Sequence, residues 1–225
     1  MKLLFFSLAS GSSGNCYYLG TSEYGILIDA GIGFRTIKKS LKDKGIEIEK
    51  IIAVLVTHDH ADHIKTVGIL GERMNTPVYS TEGAHFGINR SRCVEDKLYT
   101  SRRVIEKETP FMIKDFRITA FQVPHDSVDS VGYFIEYANH KFTIATDVGH
   151  ITDTVGKYIA QANHLVIEAN YDETMLVQGS YPAFLKERVA SPIGHLSNRE
   201  AAEFIATHYT PELKNIWLCH LSRDN

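Results

Sequence analysis

Residues 57–63 read THDHADH and put three histidines and two aspartates into seven positions, directly after the apolar run IIAVLVT at 51–57. The run has the β-branched composition of a buried strand. His58, His60 and Asp62 follow at a spacing of two, so an extended segment carries all three to one side at the strand's carboxyl end, and His63 then opens a helix. Four titratable groups within six residues repel one another or stay neutral at a cost unless a cation stands among them. Imidazole and carboxylate suit Zn, Mn or Fe, and two overlapping subsets could serve two ions.

Further donors stand where other strands are expected to end. His125 follows FQVP, Asp147 closes FTIAT and His220 closes NIWLC. Strand patterns occupy 2–9, 16–21, 25–31, 51–57, 115–123, 131–137, 141–147, 164–169 and 215–220, with a hairpin turn at Ala138–His140. Helical periodicity occupies 34–44, 63–74, 173–189 with a break at Pro182, and 198–209. Strands precede and follow helices in both halves. The expectation is an α/β (α+β) chain, a four-layer αββα sandwich, with a dinuclear site at one edge.

Composition bounds the rest. With 225 residues and 44% apolar content, one core and a single domain over 1–225 are expected. A net charge of −3 announces no global basic field, although loops can hold local basic patches. Cys16, Cys93 and Cys219 form no CxxC pair, which fits a reducing compartment. The N-terminal apolar stretch is too short for a secretion signal or a membrane span, so a cytoplasmic protein with no membrane partner is expected.

The ordered set Asp29 in LIDAG, His58, His60, Asp62 and His63, then His125, Asp147 and His220, resembles the metallo-β-lactamase fold superfamily. The resemblance implies that His58, His60 and His125 hold one metal, that Asp62, His63 and His220 hold the other, and that Asp147 bridges. Asp29 would orient the histidine loop without ligating. Aspartate at 147, where many true β-lactamases carry cysteine, disfavours antibiotic hydrolysis.

VIEANYDETM, GHLSNREAAEFIA and IWLCHLSRDN are similar to the tRNase Z arrangement, which makes Glu168 and His195 a proton-relay pair with His195 as general acid. Only 47 residues separate Asp147 from His195, leaving no room for a long substrate arm or a β-CASP insertion. FSLASGSSGNCYYLG, VTHDHADHIKTVGIL, PHDSVDSVGY, ATDVGHI, IEANYD, GHLSN and CHLSRDN together resemble the YycJ/WalJ branch. That resemblance implies a phosphodiester hydrolase, a 5′-to-3′ exonuclease on DNA, using a hydroxide bridging two divalent metals, Zn or Mn with Fe admissible. The branch is linked to mismatch repair and a cell-wall two-component system. Its chains normally run some tens of residues past LSRDN, so a shorter C-terminus and an uncovered last strand are expected here.

SGSSGN at 10–15 either wraps an anion with backbone amides, Ser13 or Asn15 touching a terminal phosphate, or is a tight loop between strands. Arg90, Arg92, Arg102 and Arg103 either track a DNA backbone or form a solvated face. His85, His140, His150, His164 and His208 fit no ligand position. Two other readings stay open: a metallo-hydrolase of a small thioester, lactone or cyclic nucleotide, and a non-catalytic accessory of a two-component system.

Overall fold

The computed structural model describes residues 2–222; the last three residues of the CHLSRDN motif lie outside the described residues. The chain forms two compact units, Met1–Ile105 with Ser127–Asp129, and Glu106–Asp126 with Ser130–Asn225.

In the first unit β1 (Leu4–Ala9), β2 (Cys16–Gly20), β3 (Gly25–Ile28), β4 (Ile51–Leu55), β5 (Val78–Ser80) and β6 (Arg102–Val104) lie side by side in chain order. The first two pairings are antiparallel and the other three parallel. Parallel neighbours need a crossover, supplied by α1 (Phe34–Lys42), α2 (Ala61–Ile64) and α3 (Glu82–Arg90). β2 and β3 are buried throughout, and Ile37 and Leu41 of α1 join their core while its lysines stay exposed. Burying each such aliphatic side chain stabilises the unit by roughly 1.5–3 kcal/mol.

The second unit contains β7 (Phe111–Ile113), β8 (Phe116–Gln122), β9 (Val131–Tyr137) and β10 (His140–Ala145), then α4 (Asp153–Ile159) and β11 (His164–Glu168). After them come α5 (Glu173–Gln178), α6 (Ala183–Val189), α7 (Asn198–His208) and β12 (Asn215–Cys219). Its sheet runs β12-β11-β10-β9-β8-β7, antiparallel from β7 to β10 and parallel from β10 to β12. Two antiparallel steps separate β8 from β10, so β8, β10, β11 and β12 all point their carboxyl ends to one edge. Val155, Tyr158 and Ile159 of α4 and Ala201 of α7 pack with Phe121, Leu165 and Ile167.

The hairpin turns at Ala138 with φ 49°, and the helical pattern over 173–189 breaks at Pro182 into α5 and α6, as the residues imply. The pattern over 63–74 departs from expectation. It divides into α2 and a π turn at Ile69–Arg73, because the Thr66 N–H donates to the Ala30 carbonyl at 2.9 Å and its hydroxyl to the Ile32 carbonyl. β3 stops at Ile28 rather than 31 because Asp29 turns to φ 60°. α4 and the three-residue strands β5, β6 and β7 have patterns too short to stand out in the sequence.

Glu72 ties the π turn to the segment that leads into β6. Its carboxylate accepts from the backbone N–H groups of Tyr99 (2.9 Å) and Ser101 (3.1 Å) and the hydroxyls of Ser101 (2.6 Å) and Thr100 (2.9 Å). Burial works against ionisation, but the bonds from Ser101, Tyr99 and Thr100 bring the carboxyl from 4.5 down to about 2. Such a depressed group stabilises the fold fully above its unfolded pKa and loses that contribution as pH falls through its folded one. E72Q is expected to lower stability at pH 7 by about 1 kcal/mol. Thermal melts of both proteins should differ above pH 4.5 and converge towards pH 2.

Candidate metal centre

In the first unit the donors stand on the ends of two parallel strands. Asp29 follows β3, and the Thr57–His63 loop follows β4. Asp29 is fully buried, accepting from the Thr57 N–H (2.8 Å), the Thr57 hydroxyl (2.9 Å) and His63 Nδ1 (2.7 Å). Burial raises its carboxyl, and His63 and Thr57 oppose the rise. The same hydroxyl lies 3.0 Å from His58 Nδ1. His58 and His63 are thus each held through Nδ1, which leaves Nε2 as the ligand atom. Their ring centroids are 4.1 Å apart, and those of His58 and His60 are 4.7 Å apart.

Asn15 is buried beside the same loop: its N–H donates to the Asp62 carbonyl at 2.7 Å, and its amide lies 2.9 Å from His63 Nε2 and 3.4 Å from Asp62 Oδ2. Ser13, by contrast, is exposed. Gly31 has a steric reason. A Cβ there would stand 1.5 Å from the Asp62 carbonyl oxygen, so the histidine loop can settle only on a glycine.

In the second unit His125 follows β8, Asp147 follows β10, Glu168 ends β11 and His220 follows β12, all at one edge of the sheet. Sites at the carboxyl ends of parallel strands are the general habit of such sheets. Glu168 is the pivot. Its Oε1 accepts from His195 Nδ1 (2.8 Å) and His220 Nδ1 (2.7 Å), and its Oε2 from the N–H groups of Val148 (2.6 Å) and Leu196 (3.1 Å). Burial disfavours its charge, but His195 and the bond from His220 hold the carboxyl below the usual range. Burial alone would lower the His195 pKa; the Glu168 carboxylate overrides it and raises it.

His125 Nδ1 donates to the Gly194 carbonyl at 2.9 Å, and Asn170 Nδ2 to the His220 carbonyl at 2.9 Å. Asp147 Oδ1 lies 3.2 Å from His220 Nδ1, and His125 Nε2 lies 3.8 Å from the same oxygen. Asp147, Glu168, His195 and His220 each offer one donor atom, all within 4.8 Å of one another, a cluster that fits a divalent ion. Left-handed backbone occurs at Asp29 (φ 60°) in the first unit and at Asp147 (φ 36°) and His220 (φ 55°) in the second. Such strain gathers at functional sites.

The candidate donors stand at a strand end or in the loop that follows one, apart from Asp62 and His63, which lie in the short helix α2, and His195, which precedes the Ser197 cap of α7. Thr57, Asn170, the Gly194 carbonyl and the second bond of Glu168 to His220 carry no ligand signature in the sequence. His85, His150 and His208 bond main-chain carbonyls, and His140 pairs with His164 at 2.9 Å.

A family profile described as a beta-lactamase superfamily domain matches residues 24–215. The chain belongs to the beta-lactamase superfamily. Among the superfamily's curated members it is 36% identical over 226 residues to exodeoxyribonuclease YycJ of Bacillus anthracis, a match covering 100% of this chain and 84% of that protein. It is 34% identical over 218 residues to exodeoxyribonuclease WalJ of Streptococcus pneumoniae, covering 97% of this chain and 81% of that one.

Solved structures share the superfamily fold. Zn(2+)-bound PqqB from Methylobacterium extorquens aligns with TM-score 0.73 at 17% identity, over 98% of this chain and 90% of that one. Short-form human tRNase Z aligns with TM-score 0.65 at 18% identity, over 97% and 93%. The two mixed sheets with their helices are thus the α/β architecture of the metallo-β-lactamase fold, and the superfamily is one of metal-dependent hydrolases. Among the described residues no helix is long and apolar enough to cross a membrane.

Glu168 tests the geometry directly. E168Q keeps the shape but replaces one acceptor oxygen by an NH2 group facing buried donors. The expected loss is about 1–3 kcal/mol. Calorimetry on the metal-free protein should show it; an unchanged melting temperature would contradict the hydrogen-bond assignment.

Proposed function

We propose that this chain is a metal-dependent phosphodiester hydrolase, a 5′-to-3′ exonuclease acting on DNA, and that residues 1–225 work as one metallo-β-lactamase-like domain. His58, His60 and His125 would hold one divalent ion, Asp62, His63 and His220 the other, with Asp147 shared between them; Zn and Mn would suit this set, and Fe would be admissible. When bound, the ions supply a nucleophile by lowering the pKa of water and neutralise charge on phosphate oxygens.

The chain's own groups do the rest. Asp29, reinforced by Thr57, keeps His63 in the tautomer that presents Nε2. Glu168 does the same for His220 and also aligns His195.

The observation that carries the phosphate reading is the Glu168–His195 pair. His195 Nδ1 is tied to Glu168 at 2.8 Å beside Asp147 at 3.9 Å, while 14% of the side chain stays accessible. An imidazolium held that way can hand its Nε2 proton to a departing alkoxide. The names of the 34–36% identical relatives support DNA as the polymer.

The test combines metal analysis with digestion. Purified protein should contain two divalent ions per chain and, with Mn²⁺, release products stepwise from the 5′ end of end-labelled duplexes. Hydrolysis of thioesters alone would defeat the nuclease reading. D62A should cut turnover at least a hundredfold and reduce metal content, with the melting temperature of the metal-free protein little changed. Full activity in D62A would refute the ligand set.

A further inference from the structure

Four arginines cluster within residues 90–103, and their surroundings separate them. Arg102 is paired with Glu82, and Arg103 spends its Nη1 on the carbonyls of Thr100 (2.9 Å) and Arg102 (2.8 Å). Among the described residues Arg90 and Arg92 pair with no carboxylate, and both are exposed. The Arg90 guanidinium lies instead over the ring of Phe86, 5.2 Å from its centroid, one helical turn earlier on α3. Phe86 is 57% exposed. Residues 82–103 carry five cations against three carboxylates in a chain whose net charge is −3.

The position of α3 gives this pair its meaning. A Cβ on Gly87 would fall 2.0 Å from Asp59 Oδ2, and one on Gly83 would fall 2.8 Å from the Asp129 Cβ. The glycine side of α3 therefore rests on Asp59, the residue between His58 and His60. Helix residues are about 100° apart, so Phe86 and Arg90 sit roughly 60° round from the glycine pair, flanking that contact. The helix brings an open aromatic face and an uncommitted guanidinium beside the loop that presents the histidines.

We propose that Phe86 and Arg90 form a contact for single-stranded DNA, the ring stacking on a nucleobase near the strand's end and the guanidinium, with Arg92 behind it, meeting the phosphate backbone. The assignment rests on the nuclease reading above and adds to it the place where the substrate is gripped. A flat apolar ring and a planar cation match the two alternating chemistries of an unpaired strand, base face and phosphate. A protein partner would ask for a larger apolar patch than one ring flanked by charge.

The experiment uses fluorescence anisotropy with a 3′-labelled, 5′-phosphorylated phosphorothioate DNA strand, titrated with the full chain at several salt concentrations. F86A and R90Q should each bind about tenfold more weakly, and F86W should restore the affinity. R90Q should also reduce the salt slope by about one, whereas F86A should leave it unchanged. F184A removes a 71% exposed ring from α6 and should bind like the unaltered protein. Binding of F86A and R90Q within twofold of the unaltered protein, while that protein still digests DNA, overturns this contact and leaves the nuclease reading standing. Failure of the unaltered protein to bind or digest DNA overturns both.

Discussion

Each unit is organised around one carboxylate that no water reaches. Asp29 in the first and Glu168 in the second are fully buried at the ends of parallel strands, and each accepts from backbone or hydroxyl donors as well as from imidazole Nδ1 atoms. An isolated buried charge would cost several kcal/mol, so these groups persist only because the bonds around them are complete. That completeness orients the histidines. With His63, His195 and His220 each tied at Nδ1 to carboxylate, and His58 and His125 tied to a hydroxyl and a carbonyl, all five rings present the same nitrogen.

The sheets supply the placement. β8, β10, β11 and β12 run in one direction, so side chains that follow them emerge along a single edge, and β3 and β4 do the same in the first unit. Donors far apart in the chain, such as Glu168 and His220, become neighbours because the register pairs Glu168 with Cys219. Small residues let the loops settle: Gly31 under Asp62 and Gly87 under Asp59.

The candidate donors can be picked out of the sequence because metal chemistry restricts such groups to few residue types, and strand ends betray themselves by the apolar runs before them. The groups that orient them cannot. Thr57 is an ordinary strand residue until the fold sets its hydroxyl between Asp29 and His58, and the Gly194 carbonyl is a backbone atom that no pattern can flag. SGSSGN suggested a phosphate contact at Ser13 or Asn15; folding leaves Ser13 exposed but buries Asn15 against Asp62 and His63, a placement that only the tertiary path of the loop decides. α3 escaped notice because its two glycines interrupt the apolar periodicity, yet those glycines are what let it approach the histidine loop.

Left-handed backbone at Asp29, Asp147 and His220 sets an evolutionary tension at these points. Aspartate and histidine tolerate that region better than most side chains, yet glycine would relax it at no steric cost. A descendant released from hydrolysis would gain by drifting to glycine at Asp147 and His220, whereas Asp29 would be kept by the buried Thr57 and His63 donors that it satisfies. Glycine at these strand ends in a homologous chain would then be a fossil of abandoned chemistry, readable before any assay.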